Sequence, residues 1–186
     1  MIDSAPFRQV AQQLGFDASC DAATGSLLTT LAAGKSGGRF LELSTGIGFG
    51  TAHLLAGTDR LSRLDTVELD STLSTAARNL LGNDPHITFA VQEGADWIHT
   101  HSGSRFDFIF ADTWLGKFSE LDETLNLLAP GGLYVIDDLF PQPNGPDGHG
   151  AKVDALRADL NARTDLHCTA LDCATGLMFC ARKEFP

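Results

Sequence analysis

Basic residues are scarce in this sequence: 13 lysines and arginines stand against 24 acidic residues, a formal net charge of −11 over 186 residues. Proteins that bind duplex nucleic acid draw most of their affinity from cations set against phosphates. Nucleic acid and anionic membranes are therefore not the expected partners, and a small molecule is. Long apolar runs are also missing: none approaches the ~18 residues of a bilayer span. The start, Met1 to Pro6, has neither the basic residues nor the apolar stretch of a secretory leader. A cytoplasmic protein is the expectation. Cysteine is sparse, with Cys20, Cys168, Cys173 and Cys180 and no CxxC pair, so reduced thiols are expected ahead of zinc or disulfides.

The chain does have the composition of a globular protein, 43% hydrophobic and 20% charged. Its length fits a single domain, 1–186, with helices in 1–35 and an α/β core in 36–186. Short apolar runs alternate with amphipathic stretches, the mark of βαβ units. Helices are predicted over 6–14 and 21–33, stopped by Gly15 and Gly34. Strands are predicted over 39–43, 64–69, 87–91, 106–111 and 133–136, separated by helices, one of them over 71–81. Ser119, three residues before Asp122, predicts a capped helix start, and Pro130-Gly131-Gly132 its end. A Pro/Gly-rich loop holding Pro141, Pro143, Asn144, Gly145, Pro146, Asp147, Gly148, His149 and Gly150 follows, then a helix over 152–163. The closing strands, 166–171 and 176–181, are too close for a crossover and must form an antiparallel hairpin. The sum is a seven-stranded, mostly parallel sheet with helices on both faces.

Chemistry concentrates at the ends of those strands. Between the first strand and its helix stands Glu42-Leu43-Ser44-Thr45-Gly46-Ile47-Gly48-Phe49-Gly50-Thr51. Glycines there let the backbone approach a ligand, and the helix N-terminus beyond offers N–H groups to an anion. A dinucleotide loop, GxGxxG counted from Gly46 and Gly48, would need glycine where Thr51 stands. An acid at the strand mouth also suits a cationic ligand and opposes a pyrophosphate, which disfavours a nicotinamide oxidoreductase.

This segment resembles the first motif of the class I methyltransferases, ExGxGxG, with Ser44 in place of the first glycine. The resemblance implies a Rossmann-like fold and S-adenosylmethionine as cofactor. It implies that Glu42, Ser44, Thr45, Gly46, Gly48 and Thr51 line the methionine half, that Glu68 takes the ribose hydroxyls, and that Leu69 beside it also binds the cofactor. Gly94 and Ala95, after the third strand, fall where the family contacts adenine.

The second half narrows the resemblance. Phe106 to Asp112, then Leu128 to Asp138, is similar to the metal-dependent O-methyltransferases related to catechol O-methyltransferase. In that family acids after the fourth and fifth strands hold magnesium or calcium, which binds the acceptor and lowers its pKa. The resemblance implies Asp112, Asp137 and Asp138 as metal ligands, with Asp112 also beside the cofactor. Two departures stand out. Asp138 replaces the family's asparagine, and the family's basic lysine, three residues after its first metal aspartate, is absent. Lys117 is near in sequence but out of register, and with no cation among the carboxylates a divalent ion is the expected neutraliser. His149 is the candidate base and Trp114 a candidate wall of the acceptor pocket. The expected activity is methyl transfer to a hydroxyl of a small molecule. The alternatives are a metal-independent N- or C-methyltransferase and a cofactor-binding protein without catalysis. Relatives of this family are often dimers, so a homodimer is an expectation too.

Overall fold

The computed structural model describes residues 2–141 and 148–184. In chain order the elements are α1 (Ala5–Leu14), α2 (Ala22–Ala33), β1 (Arg39–Leu43), α3 (Phe49–Gly57), β2 (Arg63–Glu68), α4 (Ser71–Leu81) and β3 (Ile87–Val91). There follow α5 (Gly94–Thr100), β4 (Phe106–Ala111), α6 (Leu121–Asn126), β5 (Leu128–Ile136), α7 (His149–Ala162), β6 (Leu166–Leu171) and β7 (Leu177–Arg182). The strands form one seven-stranded sheet in the order β3-β2-β1-β4-β5-β7-β6. All neighbours are parallel except β7, which runs antiparallel to both β5 and β6. This is the predicted sheet, and its order reverses between β1 and β4, where open α/β sheets bind ligands.

Strand alternation builds a core on each face of the sheet. Leu41, Leu43, Ile109, Ala111, Tyr134 and Ile136 face one side. Phe40, Phe108, Phe110 and Val135 face the other, where Phe7 of α1, Leu28 of α2 and Leu54 of α3 cover them. Glu42 therefore points to the side covered by the N-terminal helices.

On that side α2 and α3 meet backbone to backbone. Thr29 Oγ1 donates to the His53 carbonyl at 2.8 Å. Two glycines make this approach fit: a Cβ on Gly57 would lie 2.2 Å from the Thr29 carbonyl oxygen, and one on Gly25 would lie 2.4 Å from the His53 ring.

Three boundaries differ from the sequence expectation, each for a tertiary reason. Ser119 does not cap α6. The N-cap is Glu120, in the left-handed region at φ 53° and without a side-chain bond, because Ser119 belongs to a tight loop in which its carbonyl accepts from Gly116 N–H at 2.8 Å. Pro130-Gly131-Gly132 does not precede β5 but bulges from it: Leu128 pairs with Phe106, and the register resumes only at Leu133 and Phe108. Burial of Leu128 in the core holds that strand end in place. Finally, α7 begins at His149, with Gly148 at φ 80° as its N-cap, so His149 is a helical residue. Of the expected loop, Pro143, Asn144, Gly145, Pro146 and Asp147 lie outside the described residues.

The glycine contacts yield a stability test. Gly57→Ala forces a methyl against a backbone carbonyl that cannot move aside, whereas Gly25→Ala meets a ring that can turn. Overpacking costs about 1–3 kcal/mol, and a helix-interior alanine returns up to ~1 kcal/mol. Gly57 ends α3 and gains little as alanine, so chemical denaturation should show Gly57→Ala destabilised by about 1–3 kcal/mol and Gly25→Ala by clearly less.

Candidate active site

The turn after β1 winds through three left-handed residues: Ser44 at φ 77°, Gly46 at 53° and Gly48 at 87°. Ser44 thus keeps the conformation that the glycine of the pattern would supply. Ser44 and Thr45 N–H both donate to the Val67 carbonyl, at 3.0 and 3.1 Å, which fixes the turn to the end of β2. Beyond it α3 starts without any side-chain cap, leaving its N-terminal N–H groups for a ligand's anion.

The two acids flanking this turn have different surroundings. Glu42 is 1% exposed. Its Oε2 accepts from Thr51 Oγ1 at 2.5 Å and Thr66 Oγ1 at 2.7 Å, and Thr45 and Thr66 hydroxyls are 2.6 Å apart. Burial raises its pKa to about 7, with the threonine hydroxyls opposing the rise and Glu68 adding to it. Thr51 is fully buried, so of the expected methionine-side residues it serves Glu42 from behind the loop. Glu68 ends β2 and accepts from Gly46 N–H at 2.8 Å and Asp70 N–H at 3.0 Å. Its carboxylate thereby braces the glycine turn.

Leu69 stands 68% exposed beside Glu68. Gly94 opens α5 and Ala95 N–H is capped by the Glu93 carboxylate at 2.5 Å. A Cβ on Gly94 would strike Leu115 at 2.2 Å, which brings the loop after β4 against the expected adenine side. A narrow cleft runs from Phe16, Glu42, Ser44 and Gly46 to Phe110 and Asp112. Phe16, from the segment joining α1 and α2, lies directly over Gly46: a Cβ there would be 2.9 Å from the ring. Phe16 carries no motif, and sequence reading missed it.

Asp112, Asp137 and Asp138 do converge at the mouths of β4 and β5, and Lys117 stands among them. Lys117 is 4% exposed and its Nζ donates to the Asp137 carbonyl at 3.0 Å. Its place comes from its loop, not from its spacing: Tyr134 of β5 donates its hydroxyl to the Gly116 carbonyl at 2.5 Å, and Gly116 takes φ 79°. The expectation that no basic side chain reaches the carboxylates is therefore corrected. Asp112 is pushed well above the usual carboxylate range by burial first, then by Asp137 and Asp138. Asp138 adds to that rise through side-chain hydrogen bonding as well as through its charge. Burial lowers the pKa of Lys117, with the carboxylates opposing.

The ammonium already sits among the carboxylates. Asp137 Oδ1 is engaged by Thr175 Oγ1 and by Asp138 N–H, leaving only Oδ2 of that side chain without a partner. Among the described residues, the acidic or histidine trio whose ligand atoms all lie within 4.8 Å is His99, Glu120 and Glu123, on the surface and away from this mouth.

The loop that carries Lys117 also carries an aromatic cluster. Trp114 and Phe118 meet edge to face with centroids 5.5 Å apart. From the first turn of α7, His149 meets Phe118 at 5.6 Å and Lys152 Nζ stands 4.4 Å from the Trp114 centroid. The structure thus brings His149 and Trp114 together at the Phe118 ring, as a helix residue and a loop residue.

No protein-family model matches the sequence, and no curated protein matches it. Solved structures do. An O-methyltransferase of Streptomyces achromogenes involved in tomaymycin synthesis, in complex with S-adenosylmethionine, superposes with a TM-score of 0.83 at 22% identity, over 98% of this chain and 91% of that one. An O-methyltransferase of Bacillus cereus in complex with S-adenosylhomocysteine gives 0.85 at 19% identity, over 98% and 92%. A methyltransferase of Podospora anserina bound to S-adenosylhomocysteine gives 0.82 at 20%, over 98% and 89%. At such identities the likeness is one of fold, and the fold of this chain is the Rossmann-like fold of class I methyltransferases.

Proposed function

We propose that this protein transfers the methyl group of S-adenosylmethionine to a hydroxyl oxygen of a small molecule. The observation that carries the reading is one cleft with Glu42 and Gly46 at one end and Asp112 at the other, a shape and charge that suit a cationic amino acid beside a polar acceptor. The solved relatives bound to S-adenosylmethionine or S-adenosylhomocysteine support the cofactor.

In this reading Glu42 faces the ammonium of the methionine half and Glu68 the ribose hydroxyls. Leu69, Gly94 and Ala95 border the adenine. The acceptor oxygen attacks the methyl carbon in line with the sulfonium, the carbon–sulfur bond breaks, and the hydroxyl proton must leave. Positioning supplies much of the acceleration in such a displacement. Lys117 provides a fixed positive charge where negative charge grows on the acceptor oxygen, held in place by Asp112, Asp137 and Asp138. His149 takes the proton, and Trp114 and Phe118 wall the acceptor. In this reading no step is routed through a divalent ion.

The cofactor half is tested by calorimetry with S-adenosylhomocysteine. Micromolar binding is expected, and Glu68→Ala should weaken it by about 1–3 kcal/mol, the cost of losing bonds to a charged group. No binding, or tighter binding of NADH, refutes the reading.

Glu42 adds a pH signature. Its pKa rises from 4.5 to about 7 on folding, so the folded chain holds a proton that the unfolded chain releases. This group therefore takes stability away as pH climbs from about 4.5 to 7, by up to ~3 kcal/mol. Thermal melts of Glu42→Gln should lose that slope. A cationic ligand beside Glu42 favours the ionised form, so affinity for S-adenosylhomocysteine should rise from about pH 6 to 8 with proton release; an affinity flat over that range would separate Glu42 from the ligand.

The acceptor half is tested with labelled donor over phenols, catechols and hydroxy acids, with magnesium and with EDTA. Transfer to oxygen should persist in EDTA. His149→Ala should reduce turnover ~10²-fold or more with cofactor affinity unchanged. Activity that vanishes in EDTA and returns with magnesium would restore the ion and demote Lys117.

A further inference from the structure

The closing hairpin sets two cysteines face to face. Cys168 of β6 and Cys180 of β7 are register partners, and both are free thiols. Directly opposed residues of antiparallel strands have Cα atoms roughly 4.5–5.5 Å apart, inside the roughly 4.4–6.8 Å that a disulfide spans. Their side chains share one face of the sheet, where both pack in the same core cluster, and Cys168 Sγ donates to the Leu160 carbonyl at 3.6 Å. Neither belongs to the site described above. We propose that Cys168 and Cys180 are a site of reversible oxidation that closes a cross-strand disulfide with hydrogen peroxide as oxidant and opens with a small dithiol as reductant.

Access and charge assign the order of events. Cys180 is fully buried and Cys168 half-buried, so peroxide meets Cys168 first. The Cys180 thiol and the Arg163 guanidinium both favour the Cys168 thiolate and draw its pKa below the ordinary thiol value, while Cys180 is pushed up. The Cys168 thiolate attacks one peroxide oxygen, the O–O bond breaks, and the departing hydroxide leaves as water with one proton. The Cys180 sulfur then attacks the sulfenic sulfur. The S–O bond breaks, and the hydroxyl leaves as a second water with the Cys180 proton. Two thiols lose two electrons and one peroxide becomes two waters. The other cysteines have no such partner. Cys173 lies exposed beyond the last register pair, Leu171 and Leu177, and Cys20 is buried in the core on the opposite face.

No lysine or arginine lies between Thr164 and Ala181, so trypsin leaves Cys168, Cys173 and Cys180 on one peptide. The test therefore uses the full chain carrying Cys173→Ser, treated with hydrogen peroxide, unfolded in a thiol-alkylating reagent and weighed intact. Before oxidation, three thiols should be labelled. After it, one should be, Cys20, with a mass loss of two hydrogens in the unlabelled chain. A dithiol should restore all three, and adding Cys168→Ser should abolish the loss while circular dichroism shows the fold intact. Three labelled thiols after peroxide, oxygen added to Cys168 with no disulfide, or a two-hydrogen loss that survives Cys168→Ser would overturn the proposal.

Discussion

Carboxylates gathered at the edge of a buried sheet repel one another unless a cation or a proton stands between them. Much of this site follows from how that repulsion is relieved. Burial and the neighbouring Asp137 and Asp138 push the Asp112 carboxyl toward its neutral form, and Lys117 brings an ammonium to the Asp137 carbonyl. Lys117 reaches that place only because its loop is pinned from beneath by Tyr134. Tyr134 in turn is fully enclosed by the core on its face of the sheet. Packing far from the mouth thus decides which charges meet there. The same loop presents Trp114 and Phe118, so the cation and the aromatic wall share one support.

The turn after β1 poses the opposite problem, how an acidic chain keeps an acid buried. Glu42 lies in mid-sheet among apolar neighbours, where an isolated carboxylate would be costly. Threonine hydroxyls from α3 and β2 take up one of its oxygens, and near neutrality it is still partly protonated. Glu68 has the simpler task, since it meets backbone N–H groups at the strand end. Two acids adjacent in the fold are thereby set to different readiness by their surroundings alone.

Most of the fold is legible in the sequence. Strand and helix periods, glycine stops and the short final connection are local properties, and they place the sheet, its antiparallel hairpin and the acids at the strand mouths. The departures fall where local signals compete with packing. Ser119 has a capping residue's chemistry, yet the loop closed by Gly116 takes it. Pro130-Gly131-Gly132 has a breaker's chemistry, yet the burial of Leu128 turns it into a bulge. His149 stands among glycines and prolines, yet Gly148 starts the helix one residue before it.

The sequence by itself determined the α/β class, the glycine turn after the first strand and the position of Glu42, Glu68, Asp112, Asp137 and Asp138 at strand ends, because each depends on residues near in the chain. Only the tertiary structure decided what those groups face. Lys117 counts as out of register when spacing is read along the chain, but a left-handed glycine and a tyrosine hydroxyl from another strand fold its loop back among the carboxylates. Phe16 covers Gly46, and Cys168 opposes Cys180, for the same reason: contacts between segments distant in sequence are set by how strands and helices stack, which no local pattern encodes.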